Sequence, residues 1–554
     1  MSSRPCSTAD RPSSLARWIA VAALAWCCAS PALAAAASLI VNSLADNTTA
    51  GDGLCTLREA MVAANSDADF QDCAGSGAYG DDTIGFTVSG TITLGLPLPT
   101  VTDADGLTID GAGQAVIVSG DDLVRPLQVN PGAELTLKSL TITRGAGAEG
   151  AGILNSGTLT ITGSSISAST AVNNGGGLLN GGMATVHDST FSGNGAGFSG
   201  GGISNPGTLV VANTAFTENH ATFTTGGAID TLGGTLTVTA GTFLRNRAVT
   251  GGAIMSTNGA TLTVTGSTFS GNTASNFGGA IFTDGVTSTV ANSTFAGNGA
   301  GMGGGGLVNN SALTVTNATF AGNTGGAIVD GVFGTTTLRN TIVARSLTGA
   351  NCTGTITDGG GNLDDGATCG FSDPTSQSNA NAGLDPAGLQ DNGGPTLTIA
   401  LVEGSDAIDR GLNARCGTTP VDDVDQRGVT RPFDGDGDGT ATCDIGAFEL
   451  APGPAASLNH FFCYQTRASR GSLCAAESSN PGAACQTEED CGGEEDVTAF
   501  CVPNRFPRGV RVTLTDQFER DIQFDVPKPV GLCNPASKND EDPTAPSDPD
   551  HLQA

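Results

Sequence analysis

The chain is nearly without lysine: only Lys138, Lys528 and Lys538 occur in 554 residues. Four histidines, two tyrosines and two tryptophans complete a short supply of side chains suited to proton transfer or stacking. Positive charge is correspondingly scarce, with 23 Lys and Arg against 54 Asp and Glu and a formal net charge of −31. That balance argues against nucleic acid and anionic membranes as partners, because no basic stripe is there to neutralise phosphates. It also opposes unaided binding of anionic polysaccharides. Beyond the first 34 residues no run is apolar enough to cross a membrane, so a soluble mature chain with no membrane span is expected. What the chain has in abundance is glycine, 82 residues, and short apolar positions placed with great regularity.

The first 34 residues read as a secretory signal peptide. Arg11 and Arg17 give a positive n-region, residues 18–29 an apolar stretch, and Ala32-Leu-Ala34 a small-residue cleavage site. An N-terminal anchor is the bland alternative, disfavoured by Pro31 and the small residues after it. Trp26 before Cys27 does not suit a lipoprotein signal. Cleavage after Ala34 implies an exported protein, extracellular or at the cell surface. It would remove three of the fifteen cysteines and leave an even set. The remainder fall in local groups, Cys55 with Cys73, Cys352 with Cys369, Cys416 with Cys443, and six from Cys463 to Cys533. In an exported chain these read as disulfides. A metal site lacks both close Cys spacing and nearby histidine.

Internal repetition is the strongest signal. Gly-Gly-Ala-Ile ends at Ile229, Ile254, Ile281 and Ile328, with variants ending at Ile153, Leu178, Ile203 and Leu307. Phe-x-x-Asn keeps the same beat at Phe191/Asn194, Phe216/Asn219, Phe243/Asn246, Phe269/Asn272, Phe295/Asn298 and Phe320/Asn323. Between them lie alternating runs such as Leu236-Thr-Val238, the period of a strand with one buried face. A unit this short cannot bury its own apolar face, so successive coils must stack, Phe over Phe, about 4.8 Å apart. Parallel crossovers make the coil right-handed. The Asn positions are expected to form a ladder of side-chain amides, a stacking device rather than a binding array. The expected fold is all-β: a right-handed parallel β-helix over 87–387, most regular over 150–345.

The Gly-Gly-Ala-Ile and Phe-x-x-Asn motifs resemble the repeats of polymorphic outer-membrane proteins, which are autotransported β-helix adhesins. Those end in a membrane β-barrel, and nothing after Leu450 alternates long enough for one. Residues 53–65 resemble the CSLREA motif, here Cys55-Thr-Leu-Arg-Glu-Ala60, continued by Asp82-Thr-Ile-Gly-Phe86. The resemblance implies an N-terminal cap over 35–86. Thr56 and Glu59 have capping-box spacing, so a short helix should start there with Leu57, Ala60, Met61 and Ala64 on one face. Residues 388–450 resemble the choice-of-anchor domain family through Leu389-Gln-Asp-Asn-Gly-Gly-Pro-Thr396, Gly404-Ser-Asp-Ala-Ile-Asp409, Asp425-Gln-Arg-Gly428 and Asp444-Ile-Gly-Ala-Phe-Glu449. That implies a surface protein. Residues 458–534 resemble small cysteine-rich modules of secreted bacterial proteins, and the acidic tail over 535–554 should be disordered.

Two places have chemical potential. Asp434-Gly-Asp-Gly-Asp-Gly439 has carboxylates at positions 1, 3 and 5 of a calcium-loop pattern, and a loose site would use Asp434, Asp436, Asp438 and Asp444. A solvated acidic turn is the plain alternative. In two adjacent coils charged residues replace the usual small ones after the Phe: Glu218 and His220, then Arg245 and Arg247. Stacking sets Glu218 beside Arg245 and His220 beside Arg247. A weak surface ion pair explains them most simply; the sharper expectation is the polar centre of a ligand groove. No catalytic residue is assigned. A β-helix also suits carbohydrate-active enzymes, but Ser119-Gly-Asp-Asp122 is only a faint echo of polygalacturonase carboxylates. The expected function is therefore an adhesin or binding scaffold for a surface, a partner protein or a neutral glycan. An enzyme on glycans and a structural coat protein are the alternatives.

Overall fold

In this computed structural model residues 36–450 are described in full, and for short strands between 462 and 534 the backbone alone is described. The proposed signal peptide and the acidic tail lie outside the described residues. Residues up to Ala451 form one compact unit and those from Pro452 a second. The second unit contains antiparallel pairs, Phe462–Tyr464 with Leu532–Asn534 and Val510–Thr515 with Asp521–Val526.

The first unit is a right-handed parallel β-solenoid of about 11 turns. Each regular coil runs through four short strands. In one of them these are Thr235–Thr239, Thr242–Leu244, Arg247–Thr250 and Ile254–Thr257. Stacking makes two sheets of 13 strands, one of 10 and one of 7. Register is strict: Leu236 pairs with Leu209 and Leu262, Phe243 with Phe216 and Phe269, Ile254 with Ile229 and Ile281. A one-residue slip would turn every apolar side chain outward, so the alternation itself enforces the pairing.

The core is a set of columns. Phe191, Phe216, Phe243, Phe269, Phe295 and Phe320 are fully buried and stack with ring centroids 4.4–5.2 Å apart. Each such burial contributes ~1.5–3 kcal/mol. Beside them the Asn ladder runs from Asn194 to Asn323. Asn246 Nδ2 donates to Phe216 O and to Asn272 Oδ1, while its own Oδ1 accepts from the backbone and side-chain nitrogens of Asn219. A second ladder, Asn155–Asn180–Asn205, serves the ten-stranded sheet.

The corner two residues after each Phe is left-handed: φ is +62° at Gly193 and Gly271, +57° at Glu218 and +52° at Arg245. Glycine is the unstrained choice there. The scarcity of large residues at this position is thus a backbone constraint, and Glu218 and Arg245 occupy it at a cost of about 1–2 kcal/mol each. Arg144 and Arg345 hold the same corner in other coils at +51° and +56°.

At the N-terminal end, helix α1 (Leu57–Asn65) packs on the strands Ala36–Val41 and Ala78–Phe86. Thr56 Oγ1 accepts from Glu59 N, and Glu59 Oε2 accepts from Thr56 N. Leu57, Ala60, Met61, Ala63 and Ala64 are buried, and Arg58 pairs with Asp46 at 2.7 Å. Disulfides join Cys55 to Cys73, Cys352 to Cys369 and Cys416 to Cys443; partners for the six later cysteines lie outside the described residues.

Residues 396–450 fold back along the helix. Gln426, buried, accepts from Thr294 and donates to Thr268 and Thr396, and Ala447 N donates to Thr319 Oγ1. This covers the outer face of the Phe-bearing sheet over three coils. Within that segment Arg431, wholly buried, donates to Glu449 and to the carbonyls of Asp444 and Gly446, and Asp425 holds Arg427 at 2.7 Å.

Candidate binding groove

The outward positions of the seven-stranded sheet form a column: Thr170, Gly195, His220, Arg247, Thr273 and Gly299. Neighbours before and after the charged pair are small. A Cβ at Gly195 would lie 2.7–2.8 Å from the His220 imidazole, so the ring lies over that glycine and depends on it. A groove of ≈ 460 Å³ opens there, lined by His220, Thr222, Arg247, Val249, Thr273 and Ser275 with the alanines between them. Burial, and then the Arg247 guanidinium, hold His220 below its ordinary pKa. The imidazole is therefore neutral at neutral pH and can both donate and accept.

The four charged residues read from the sequence do not converge. Glu218 and Arg245 form an ion pair at 3.0 Å, both well exposed, on the left-handed corner at the groove's rim. Such a pair is worth ~0–1 kcal/mol. His220 and Arg247 line the groove itself. Among the described residues Arg247 makes no ion pair.

One feature of the site escaped the sequence reading. At the end of the groove strand or just past it, five of six successive coils expose an apolar side chain, Val172, Phe198, Phe223, Phe277 and Met302, and the Arg247 coil has Thr250 there instead. Phe198 and Phe223 sit with centroids 6.2 Å apart and rings tilted by 56°, and Phe223 is 67% exposed. At about 4.8 Å per coil the row extends about 24 Å along the helix axis. The signal was legible: each of the last four stands one to three residues before a glycine pair, outside the Phe-x-x-Asn beat.

The acidic loop differs from the expected ligand set. Asp444 is 1% exposed and lies away from the loop, accepting from Asp409 N and Leu450 N beside Glu449. Burial and then Glu449 push its carboxyl up to about 7. Asp438 faces solvent and accepts from Thr440 N. Asp409 takes their place, with oxygens of Asp409, Asp434 and Asp436 within 4.8 Å of one another. Three hard oxygens suit calcium, although each carboxylate already accepts backbone N–H groups, Asp409 from Gly435 and Asp436, Asp434 from Gly437 and Gly439, and Asp436 from Asp438. Asp121 and Asp122, the polygalacturonase echo, are both held by Arg144.

Comparison with known proteins agrees with the architecture. Residues 101–295 match the family model of a right handed beta helix region. Among solved structures the chain is similar to pectate lyase Pel9A at 14% identity, covering 75% of this chain and 96% of that one with a TM-score of 0.36. A likeness at that level carries no argument about activity. No curated protein matches the chain.

Proposed function

We propose that this protein is an exported β-helix adhesin that binds a neutral glycan lengthwise in the groove beside the exposed Phe row. The observation that supports the reading most directly is the juxtaposition of apolar rings with polar side chains. Phe198 and Phe223 offer rings on adjacent coils and Phe277 a third two coils on, while His220, Arg247, Thr222 and Ser275 offer hydrogen bonds on the neighbouring groove strands. Sugars need that combination, since a pyranose has an apolar face and a hydroxyl rim. The rings stand on three of four consecutive coils, with Thr250 of the Arg247 coil in the gap between Phe223 and Phe277. The resemblances to CSLREA and choice-of-anchor proteins support surface display, as does the signal-like N-terminus.

The test is affinity electrophoresis against a panel of neutral polysaccharides, with wild type, Phe223→Ala and Arg247→Ala. Burying most of the Phe223 ring under a sugar is worth ~1–2 kcal/mol, so its loss should weaken binding roughly 5- to 30-fold. Equal retardation of wild type and Phe223→Ala would refute the site. An enzyme is the second reading, favoured by one observation: the His220 imidazole and the Arg247 guanidinium stand side by side in the groove, a candidate base with a charge to steady an anion. Product release from the same polysaccharides, abolished by His220→Ala, would favour it over binding alone.

A further inference from the structure

The asparagine ladder of the ten-stranded sheet breaks off beneath the groove. Asn155 and Asn180 each donate to the Asn of the next coil and to a backbone carbonyl, Met183 O or Thr208 O. Among the described residues Asn205 Nδ2 donates to Thr235 O alone. The residues in register on the following coils are Thr231, Ser256 and Thr283. Asn returns at Asn309, which donates to Asp330 Oδ1. The three coils between are the three whose outward strands line the groove, through His220, Arg247 and Thr273.

A hydroxyl cannot carry this ladder from coil to coil. An amide reaches far enough past its Cβ to meet the next one, as Asn180 Nδ2 meets Asn205 Oδ1 at 2.7 Å. Hydroxyls end one bond past Cβ, so on paired strands they stay about 4.8 Å apart. That is too long for a hydrogen bond and suits one bridging water about 2.8 Å from each. Thr231 Oγ1 and Ser256 Oγ are wholly buried and have no partner in the protein. Thr283 differs, with its Oγ1 2.6 Å from Ser288 Oγ. Ser256 Oγ faces the next coil, 3.5 Å from where a Cβ on Gly285 would stand. Space is gained there too, since serine is shorter than asparagine, and Ser288 is smaller than Leu262 and Leu313, its partners in register. The carbonyls of Thr261 and Thr287 hold the register places of Thr208 O and Thr235 O, the ladder's own acceptors. Buried polar groups are nearly always satisfied, and water is retained where several of them converge.

We propose that Thr231 and Ser256 hold two ordered waters, one per coil, that continue the ladder from Asn205 toward Thr283. The first accepts the remaining amide hydrogen of Asn205 and meets Thr231 Oγ1. The second bridges Thr231 Oγ1 and Ser256 Oγ. Each donates to a carbonyl, Thr261 O or Thr287 O. The coils beneath the groove are then spaced by exchangeable water, and those on either side by amides. The site is independent of the glycan reading.

Oxygen-17 relaxation dispersion on the full chain reads long-lived internal water, and native-state hydrogen exchange reads the strands Ile229–Leu232 and Ile254–Thr257. Thr231→Asn combined with Ser256→Asn should set amides where the waters stand and lower the dispersion by the amplitude of two waters. Thr231→Val and Ser256→Ala, made singly, discriminate by sign and decide the matter if the double variant does not fold. With water held, each deletion strips it of a partner, and protection of the two strands falls roughly 2- to 10-fold. With the hydroxyls unpartnered, each deletion removes a costly buried polar group, and protection holds or rises. That second result, or a dispersion unchanged in the folded double variant, would overturn the proposal.

Discussion

Replacing Asn246 tests whether the asparagine ladder, rather than the phenylalanine column alone, sets the pairing of the coils. Asn246→Leu nearly conserves volume, so cavity formation is a small part of the effect. It orphans two buried donors, the backbone N–H of Asn219 and one of its two side-chain N–H groups, and removes the side-chain donor to the carbonyl of Phe216. Asn272 Oδ1 keeps the donation from the backbone N–H of residue 246. At ~1–3 kcal/mol for each of the two buried orphans, with partial relaxation, the loss is roughly 2–5 kcal/mol. Asn246→Asp is the sharper variant. It retains an acceptor for Asn219 but sets a carboxylate against two acceptors, Phe216 O and Asn272 Oδ1, and buries a charge; it should cost at least as much as leucine. Coils touch only their neighbours, so unfolding is local and a whole-chain melting point would understate the effect. Native-state hydrogen exchange at residues 216–272 is the proper assay. Protection in Asn246→Leu within about tenfold of wild type, equivalent to about 1.4 kcal/mol, would refute the reasoning.

Two further perturbations follow. Asp230, 2% exposed, accepts from Thr225 Oγ1 and is pushed up to about 6 by burial. The folded state therefore binds its proton more tightly than the unfolded state, and stability falls as pH rises from about 4 to 6, by roughly 2–3 kcal/mol; urea unfolding of Asp230→Asn should lack this slope, and an identical slope would sink the assignment. For the acidic loop, calcium should raise the melting temperature of wild type more than that of Asp434→Asn, with the two alike in chelator; a calcium response equal in both would leave a turn held by its own N–H donors.

Most of the solenoid was legible in the chain before any coordinate. A period near 25 residues, carrying Leu-x-Val, Phe-x-x-Asn and Gly-Gly-Ala-Ile, already specifies which side chains stack, because parallel in-register pairing places like over like. The capping box at Thr56 and Glu59 has the same local character: spacing alone brings those groups together. The candidate groove was half legible. His220 and Arg247 were found as departures from the repeat, but the pattern gave no means of separating them from Glu218 and Arg245. Only the backbone angles do that, by putting one pair on a left-handed corner and the other on a strand.

What depends on contacts distant in sequence stayed hidden. Gln426 meets Thr268 across 158 residues, and no periodicity encodes that fold-back. Asp444 stands close after the glycine-rich loop in the chain and Asp409 well before it, yet burial beside Arg431 and Glu449 removes the first from the loop's surface, while Asp409 accepts from Gly435 N and Asp436 N and joins the loop's carboxylates. Repetition determines the scaffold because each coil is a template for the next. Sites arise where unlike segments meet, and such meetings are decided by three-dimensional packing.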